Sequence, residues 1–463
     1  MSHRPTEPLW VWVEPAVPGR EPAADPNVQE AELDGERVTG KAPMVALAHR
    51  GRGMTAALRR NSFGHTVAQT GLFNILATVL GAGAGLLVAR YLGAGPRGEY
   101  AAVVAWFGLA LVVGELGQGA ATCFHVARDP LRARTYVASS RSLMLTSGLI
   151  ITAIGLLIAP ALAHSRPTLT FGYQVMFGVC LAALAGASYV FALQARHVTR
   201  WNVVRTAQPA LFFLAVLTLA LTGTLTLSTV LLVLASSIVV QSGVAYLACT
   251  RSGLAPGHAD RRRMPSLLRY GIAQLTATAP SAMNTRLDQL VMSLTVPAAD
   301  LGRYAVSVSL TSLAFPVVAA LGYVAFPRLA GQSDAAATAG RLERRSILAS
   351  CVVAAAILLP LAGTAQWLLP AIFGPSFAAA APLVWVLAPG GFFLATGQVM
   401  GDLLRARNSP WRVAHAQLAG AVVTVVALGI LLPLVGVLGA AIASTASYAV
   451  TWTWQAWAWR RTG

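Results

Sequence analysis

The stretch from Arg269 to Leu310 reads RYGIAQLTATAPSAMNTRLDQLVMSLTVPAADLGRYAVSVSL and decides the fold class. It contains two apolar segments, each long enough to cross a bilayer, joined by a short polar turn. The first segment carries Arg286 and Asp288 well inside its apolar length. An ionised side chain costs roughly 2.5–3.5 kcal/mol at the centre of a transmembrane helix, so such residues usually face a protein interior or a water-filled path. The stretch therefore predicts a membrane helix that lines a cavity.

Other polar residues of this predicted helix share one face. Helical spacing of three and four brings together Gln274, Thr278, Ser281, Thr285 and Asp288. Pro280 interrupts the helix and frees a carbonyl that another group must satisfy. Arg286 and Asp288 are two residues apart, so they point to nearly opposite faces and need not pair with each other.

Composition places the whole chain in the membrane class. Charged residues make up 11% of the 463 residues and hydrophobic residues 56%, with a mean hydropathy of +0.63. A soluble domain carries about 25% charged residues. The net charge of +17 comes from arginine clusters between apolar runs. That distribution is typical of topology signals and argues against a nucleic-acid partner.

The predicted fold class is an all-α polytopic membrane protein with twelve transmembrane helices. Apolar segments lie near 66–91, 99–122, 138–160, 170–193, 206–222, 226–248, 268–294, 302–326, 346–368, 378–403, 412–432 and 435–458. The connections between them alternate between arginine-rich and arginine-poor. Basic residues near span ends mark the cytoplasmic side. We therefore expect a multi-pass protein of the cytoplasmic (inner) membrane with both termini in the cytoplasm.

The chain divides into four predicted parts. Residues 1–60 are rich in Pro, Glu and Asp and are expected to form a disordered cytoplasmic tail. Six spans each fall in 61–250 and 268–463, and the basic segment 251–267 is the predicted cytoplasmic linker. An internal repeat supports this division, because Gly98-x-Tyr100-Ala101 aligns with Gly302-x-Tyr304-Ala305 at an offset of 204. Six spans per half return the chain to its starting side, which predicts two parallel six-helix lobes around a central cavity.

Several phrases resemble a known family. ARYLGAGPRGEYA, ELGQGA and RLDQLVMSLTVPAADLGRYA are similar to the polysaccharide or oligosaccharide (O-antigen-type) flippases of the multidrug/oligosaccharidyl-lipid/polysaccharide exporter superfamily. The resemblance covers about residues 60–460. It implies alternating access and movement of undecaprenyl-diphosphate-linked oligosaccharide to the outer leaflet for cell-surface polysaccharide synthesis. The first span has no charge before Arg90, unlike lipid II flippases of the superfamily, which carry arginines there.

The resemblance also implies partners and site roles. Expected partners are the lipid-linked oligosaccharide and membrane lipids, with an envelope polysaccharide polymerase or glycosyltransferases as further candidates. No cofactor is expected beyond a coupling proton or Na⁺. Arginine suits a diphosphate because its planar fork binds phosphate oxygens in pairs. The candidate substrate-binding residues are Arg286 for phosphate, with Gln274, Asn284, Asn74, Gln118 and Gln398 for sugar hydroxyls. The candidate ion-coupling carboxylates are Asp288, Glu115 and Asp402.

Structural interpretations stand beside these functional ones. Asp402 lies three residues before Arg405, a spacing that favours a local ion pair. Glu115 lies toward the end of its span, where it can cap a helix or pair with loop arginines. The amides can simply hydrogen-bond between helices. For each side chain, its contacts decide between the two interpretations.

Three classes of function remain open: a flippase, a multidrug exporter and a membrane scaffold. A catalytic role is not supported, since GxSxG, HExxH and P-loop motifs are absent from the sequence. The first alternative to a flippase is a cation-coupled multidrug exporter of the same superfamily, which would favour an acidic, aromatic cavity. The second is a non-transporting membrane scaffold, which needs no polar-lined cavity. Arg286 favours the flippase.

Overall fold

The computed structural model describes residues 44–255, 257–319, 336–407 and 409–462. These residues form helices joined by short turns, and no β-strand occurs among them. Ten helices in the described ranges are long and apolar enough to cross a membrane. The prediction of an all-α polytopic membrane protein is therefore confirmed.

The helices are labelled in chain order. They are α1 (Met44–Leu92), α2 (Ala94–Glu115), α3 (Gln118–Arg128), α4 (Ala133–Leu162), α5 (Pro167–Arg196), α6 (Val198–Leu221), α7 (Leu227–Thr250), α8 (Met264–Asn284), α9 (Leu287–Thr295), α10 (Ala298–Thr311), α11 (Ala336–Phe373), α12 (Ala381–Ala406), α13 (Pro410–Val435) and α14 (Val437–Thr462). Helix α1 begins at Met44, inside the predicted tail 1–60. Alanine, leucine and arginine are frequent in 44–60 and are good helix formers. Residues 1–43 of the predicted tail lie outside the described residues.

The predicted second span, 99–122, is two helices. Leu116 and Gly117 both adopt left-handed backbone conformations, with φ of 53° and 65°, and separate α2 from α3. Non-glycine residues rarely occupy this region, at a cost of order 1–3 kcal/mol. The ELGQGA phrase therefore encodes a helix break directly after Glu115.

The predicted seventh span, 268–294, is also broken, but not at the expected residue. Pro280 lies inside α8, and the helix ends at Asn284, four residues later. Arg286 has a non-helical backbone at the N-terminal end of α9. The single polar stripe from Gln274 to Asp288 is consequently interrupted, because the turn between α8 and α9 changes the direction in which later side chains point.

Helices α2 and α10 pack backbone to backbone with a reciprocal pattern. A Cβ atom on Gly98 would overlap the carbonyl oxygen of Ala298, and one on Gly302 would overlap the carbonyl oxygen of Ala94. Both glycines and both alanines are related by the offset of 204 found in the sequence repeat. Reciprocal contacts of this kind are the mark of a two-fold relation between equivalent surfaces. The contact supports the interpretation of the repeat as a structural duplication.

Helices α3 and α8 make a second close contact. A Cβ on Gly117 would overlap the carbonyl oxygen of Gly271, so the positive φ and the close approach both require glycine at this position. Gln118 is fully buried here and donates from Nε2 to the carbonyl of Leu267 at 3.3 Å. The α2–α10 and α3–α8 contacts lie toward opposite ends of α2.

The connection after α7 packs against the beginning of α4. Arg134 donates from Nε to the carbonyl of Ala255 at 3.0 Å, and Arg263 donates from Nη1 to the Tyr136 hydroxyl at 2.8 Å. The segment predicted as a linker, 251–267, thus includes the first residues of α8 and a loop held by side chains of α4.

Candidate functional site

A cavity of about 410 Å³ lies among α2, α5, α6 and α7. Its wall on α2 consists of residues spaced three and four apart, from Tyr100 to Glu115, so one face of that helix is exposed to the cavity. Among the described residues, Arg286 is the one lining residue that comes from beyond α7. The polar residues of the lining are Tyr100, Glu115, Gln208, Gln241, Ser242 and Arg286. The cavity can therefore present a cation, a carboxylate, amides and hydroxyls to one ligand.

Arg286 reaches this cavity because the chain turns between α8 and α9. Its guanidinium lies against Gly108 of α2, where a Cβ atom would stand 2.8 Å from Nη1. The side chain is exposed, and within the described residues no hydrogen bond or ion pair joins it to the protein. A guanidinium with unused donors in a cavity is a binding group for an anion.

Glu115 supplies the carboxylate of the cavity. Its Oε1 accepts a hydrogen bond from the backbone N–H of Gly119 at 3.1 Å, across the break between α2 and α3. The predicted capping role is thus present, and the side chain also lines the cavity. In the part of the chain that the structure describes, the charged lining residues are Arg286 and Glu115, which have opposite signs.

Arg97 is a feature that the sequence interpretation missed, because its place before the second span resembles that of a loop residue. It is 7% exposed, and its Nε has no hydrogen-bond partner among the described residues. Its guanidinium carbon lies 5.2 Å from the centre of the Tyr100 ring, which lines the cavity. A buried cation therefore lies behind the cavity wall, toward the start of α2, in addition to the exposed Arg286.

Asp288 lies in a buried polar cluster. It is 2% exposed and accepts hydrogen bonds from the Tyr304 hydroxyl, from Ser444 Oγ at 3.1 Å and from the Gln289 N–H at 2.7 Å. Tyr304 and Ser444 belong to α10 and α14, so one carboxylate joins three helices. Several donors on one carboxylate can hold a negative charge in a buried site.

Asn284, the last residue of α8, forms a second buried cluster. Its side-chain carbonyl oxygen accepts hydrogen bonds from the Thr424 hydroxyl and from Ser447 Oγ at 3.0 Å. The side chain is 3% exposed. Asn284 is therefore held between α13 and α14 and does not line the cavity.

Two other predicted amides lie in contacts between helices. Asn74 on α1 accepts a hydrogen bond from Arg205 on α6, and Gln118 lies in the α3–α8 contact. The Oε1 of Gln118 is buried without a hydrogen-bond partner among the described residues. Neither residue lines the cavity.

The remaining predicted residues are also outside the cavity. Gln398 donates to both oxygens of Asp402, at 3.2 and 3.4 Å, and Arg405 forms an ion pair with Asp402 at 2.7 Å. This is the local pair that the spacing indicates. Gln274 is half-buried on α8, and its backbone carbonyl accepts a hydrogen bond from Thr278 at 3.0 Å.

Sequence reasoning overlooked the hydroxyl partners. Ser444, Ser447 and Thr424 carry no signal of their own, since serine and threonine commonly bond the backbone of their own helix. Gln208 and Gln241 had a weak signal, as glutamines inside apolar spans. Tyr304 had the clearest signal, because it belongs to the repeat phrase that matches Tyr100.

Two histidines outside the spans add no charge at neutral pH. Burial and the neighbouring cations Arg128 and Arg263 lower the pKa of His125. Burial and the neighbouring cations Arg200 and Arg196 lower the pKa of His197. The positive charge near these helix ends at pH 7 therefore comes chiefly from arginines.

The chain matches the family described as polysaccharide biosynthesis protein over residues 64–333. None of the curated protein sequences matches the chain.

Solved transporters share the fold. The lipid II flippase MurJ in an inward closed conformation is similar with a TM-score of 0.72 and 11% identity, over 84% of this chain and 87% of that one. An inward-facing multidrug resistance MATE family transporter of the MOP superfamily has a TM-score of 0.66 and 13% identity, over 86% and 98%. A Vibrio cholerae MATE transporter, VcmN, has a TM-score of 0.59 and 10% identity, over 87% and 98%. At these identities the similarity shows the fold alone, that of MurJ and the MATE transporters.

Proposed function

Because the chain belongs to the polysaccharide biosynthesis protein family, we propose that it is a flippase for undecaprenyl-diphosphate-linked oligosaccharide in the cytoplasmic membrane. The observation that carries this proposal is the Arg286 guanidinium, which has unused donors and lines a cavity. Its role is to bind the diphosphate, whose oxygens match the guanidinium fork in pairs. Arg97, behind Tyr100, adds a second positive charge toward the start of α2.

The other polar residues of the cavity bind the sugar part of the substrate in this proposal. Gln208, Gln241 and Ser242 offer donors and acceptors to sugar hydroxyls, and Tyr100 offers a ring and a hydroxyl. The prenyl tail stays in the lipid, since moving its methylenes into a polar cavity loses about 0.8 kcal/mol for each. A cavity of about 410 Å³ holds a diphosphate and its first sugar, so a longer glycan requires the cavity to open further.

Opening requires the two close helix contacts to separate in turn. In this proposal the α2–α10 contact at Gly98 and Gly302 separates to open the protein on one side of the membrane, and the α3–α8 contact at Gly117 and Gly271 separates to open it on the other. Alternating access follows when one contact separates while the other stays closed. Asp288, which joins α9, α10 and α14, is the proposed coupling carboxylate for a proton or Na⁺.

The test compares Arg286→Ala and Arg286→Lys with the control Arg261→Ala, which removes an exposed arginine from the loop after α7. Cells in which this chain is the sole polysaccharide flippase are assayed for surface polysaccharide and for lipid-linked intermediate on the inner leaflet. We expect Arg286→Ala to lower export at least about tenfold, because a charge-assisted, paired contact is lost. Arg286→Lys should retain part of the wild-type export, because a lysine ammonium binds phosphate as a point charge. Export equal to that of the control, with normal protein levels, would exclude Arg286 from the substrate site.

One observation favours a cation-coupled multidrug exporter as a second candidate. Glu115 lies in the same cavity as the aromatic rings of Phe107 and Phe191, a combination that suits an organic cation. Binding by the purified protein separates the two candidates. Tighter binding of undecaprenyl diphosphate than of ethidium, with the former weakened by Arg286→Ala, supports the flippase. Ethidium binding that depends on Glu115 and not on Arg286 supports the exporter.

The same cells also test the scaffold alternative. A scaffold would need the protein for polysaccharide assembly but not for translocation. Deletion would then leave no complete lipid-linked intermediate on the inner leaflet, whereas loss of a flippase makes that intermediate accumulate there.

A further inference from the structure

A groove of about 510 Å³ lies at the arginine-rich ends of α11 and α14, apart from the cavity described above. It is lined by Arg344, Ile347, Leu348, Cys351, Trp459 and Arg460. We propose that this groove binds an anionic phospholipid, with the headgroup phosphate between Arg344 and Arg460 and an acyl chain along α11. The proposal is independent of the transported substrate.

The two arginines have donors to spare. Both are exposed, and among the described residues neither forms an ion pair or hydrogen bond with another side chain. The neighbouring carboxylate cannot neutralise them, because Glu343 is 4% exposed and already engaged. It accepts two hydrogen bonds from Arg407, one of them from Nε at 2.9 Å, and a third from Trp459 Nε1 at 2.9 Å.

The local sequence leaves this end of the protein strongly cationic. From residue 336 to residue 463 the only acidic side chains are Glu343 and Asp402. Asp402 forms its ion pair with Arg405 at 2.7 Å. Among the described residues of α11 to α14, no unpaired acidic side chain therefore remains to repel a phosphate. A basic groove between membrane helices on such a face is a recognised form of anionic-lipid site.

The wall of the groove fits an acyl chain. Ile347, Leu348 and Cys351 lie three, four and seven residues after Arg344, so they form one stripe that runs along α11 from the arginine. Leu348 is 65% exposed, and the apolar surface continues at Val352 and Leu359, which are 59% and 71% exposed. Charge at one end and an exposed apolar stripe leading away from it match the layout of a phospholipid.

The neighbouring contacts give the bound lipid a structural consequence. Trp459 lines the groove and also bonds Glu343, which Arg407 joins to the end of α12. A lipid bound in the groove would contact Trp459, which with Glu343 and Arg407 holds α11, α12 and α14 together. We expect lipid binding to stabilise this end of the protein against heat, because a ligand that binds only the folded state raises its stability.

The test measures binding of phosphatidylglycerol to the full chain in detergent by native mass spectrometry, with phosphatidylcholine as the neutral lipid. The double variant Arg344→Ala/Arg460→Ala is matched with Arg261→Ala/Arg262→Ala, which removes the same charge from the exposed loop after α7. We expect the first variant to weaken the tightest phosphatidylglycerol site by roughly tenfold or more and the second to change it little. The melting temperature should rise with phosphatidylglycerol in the wild type and in the loop variant only.

A third variant tests the acyl-chain stripe without touching a charge. Leu348→Gln changes an exposed side chain, so the fold should persist, and binding should weaken several-fold. Three results would overturn the proposal: equal loss in the two arginine variants, equal affinity for phosphatidylcholine, or no saturable lipid site in the wild type. Equal loss would indicate general attraction of anionic lipid to basic surfaces.

Discussion

At the scale of single residues, the positions of the Arg286 and Asp288 side chains determine the candidate site. Arg286 follows the end of α8 and reaches across to Gly108 of α2, where the absence of a Cβ leaves room for its guanidinium. Asp288, two residues later, is buried among hydroxyl groups. Two adjacent charges of the sequence thus belong to two different environments.

Gly108→Ala tests the position of the guanidinium. A Cβ would stand 2.8 Å from Nη1, too close for an unbonded contact, so the end of a flexible side chain must move. We expect export to fall about tenfold with a normal melting temperature, because small misplacements of a binding group are costly. The control is Gly178→Ala, where nothing lies within 4 Å of the added atom. Unchanged export in Gly108→Ala would show that the observed position of Arg286 is not the one that binds substrate.

At the scale of elements, helix breaks organise the protein. The α2–α3 break follows Glu115 and the α8–α9 break precedes Asp288, so each half of the chain has a carboxylate beside an interrupted helix. Interrupted membrane helices supply backbone and side-chain groups that regular helices keep occupied. Asp288 accepts more hydrogen bonds than Glu115, because hydroxyl groups of both α10 and α14 donate to it.

Asp288→Asn tests coupling at the α8–α9 break. Asparagine keeps the size of the side chain but removes the charge that would bind a proton or Na⁺ in the proposed coupling. We expect the remaining export to lose its dependence on the proton or Na⁺ gradient, measured in vesicles with each gradient collapsed separately. Asp402→Asn should keep the wild-type dependence, because Asp402 is paired locally with Arg405. If the two variants respond alike to the gradients, Asp288 is a structural residue.

At the scale of the whole molecule, two close contacts between helices hold distant parts of the chain together. The α2–α10 contact joins residues about 200 positions apart through glycines at equivalent places in the repeat. Direct backbone packing of small residues is a common way for membrane helices to associate, since the lipid provides no hydrophobic drive between them. The proposed alternating access requires this contact to separate.

Gly98→Ala tests that contact. The added Cβ would overlap the carbonyl of Ala298, so the two backbones must move apart at a cost of about 1–3 kcal/mol. We expect the melting temperature in detergent to fall by several degrees. Gly95→Ala, three residues earlier with nothing within 4 Å, should leave it unchanged or raise it, because alanine is the better helix former. Equal melting temperatures for the two variants would mean that the α2–α10 contact is looser than observed.

The sequence alone determined the class of this protein and much of its helix plan. Long apolar runs admit few structures in a bilayer, since every backbone group must be bonded within a helix or a closed barrel. The offset of 204 likewise identified Gly98 and Gly302 as equivalent positions of a repeat. These features depend on local composition and spacing, which a sequence displays directly.

Only the tertiary structure decided which polar residues share a site. Spacing along one helix grouped Gln274 with Asp288, whereas the break after Asn284 separates them and directs Arg286 toward α2. Asn74 and Gln398 looked equivalent to Gln208 and Gln241 in sequence, but the first two bond to Arg205 and Asp402 and the second two line the cavity. The physical reason is that a buried polar group takes its role from its partners, and those partners come from helices far away in the chain.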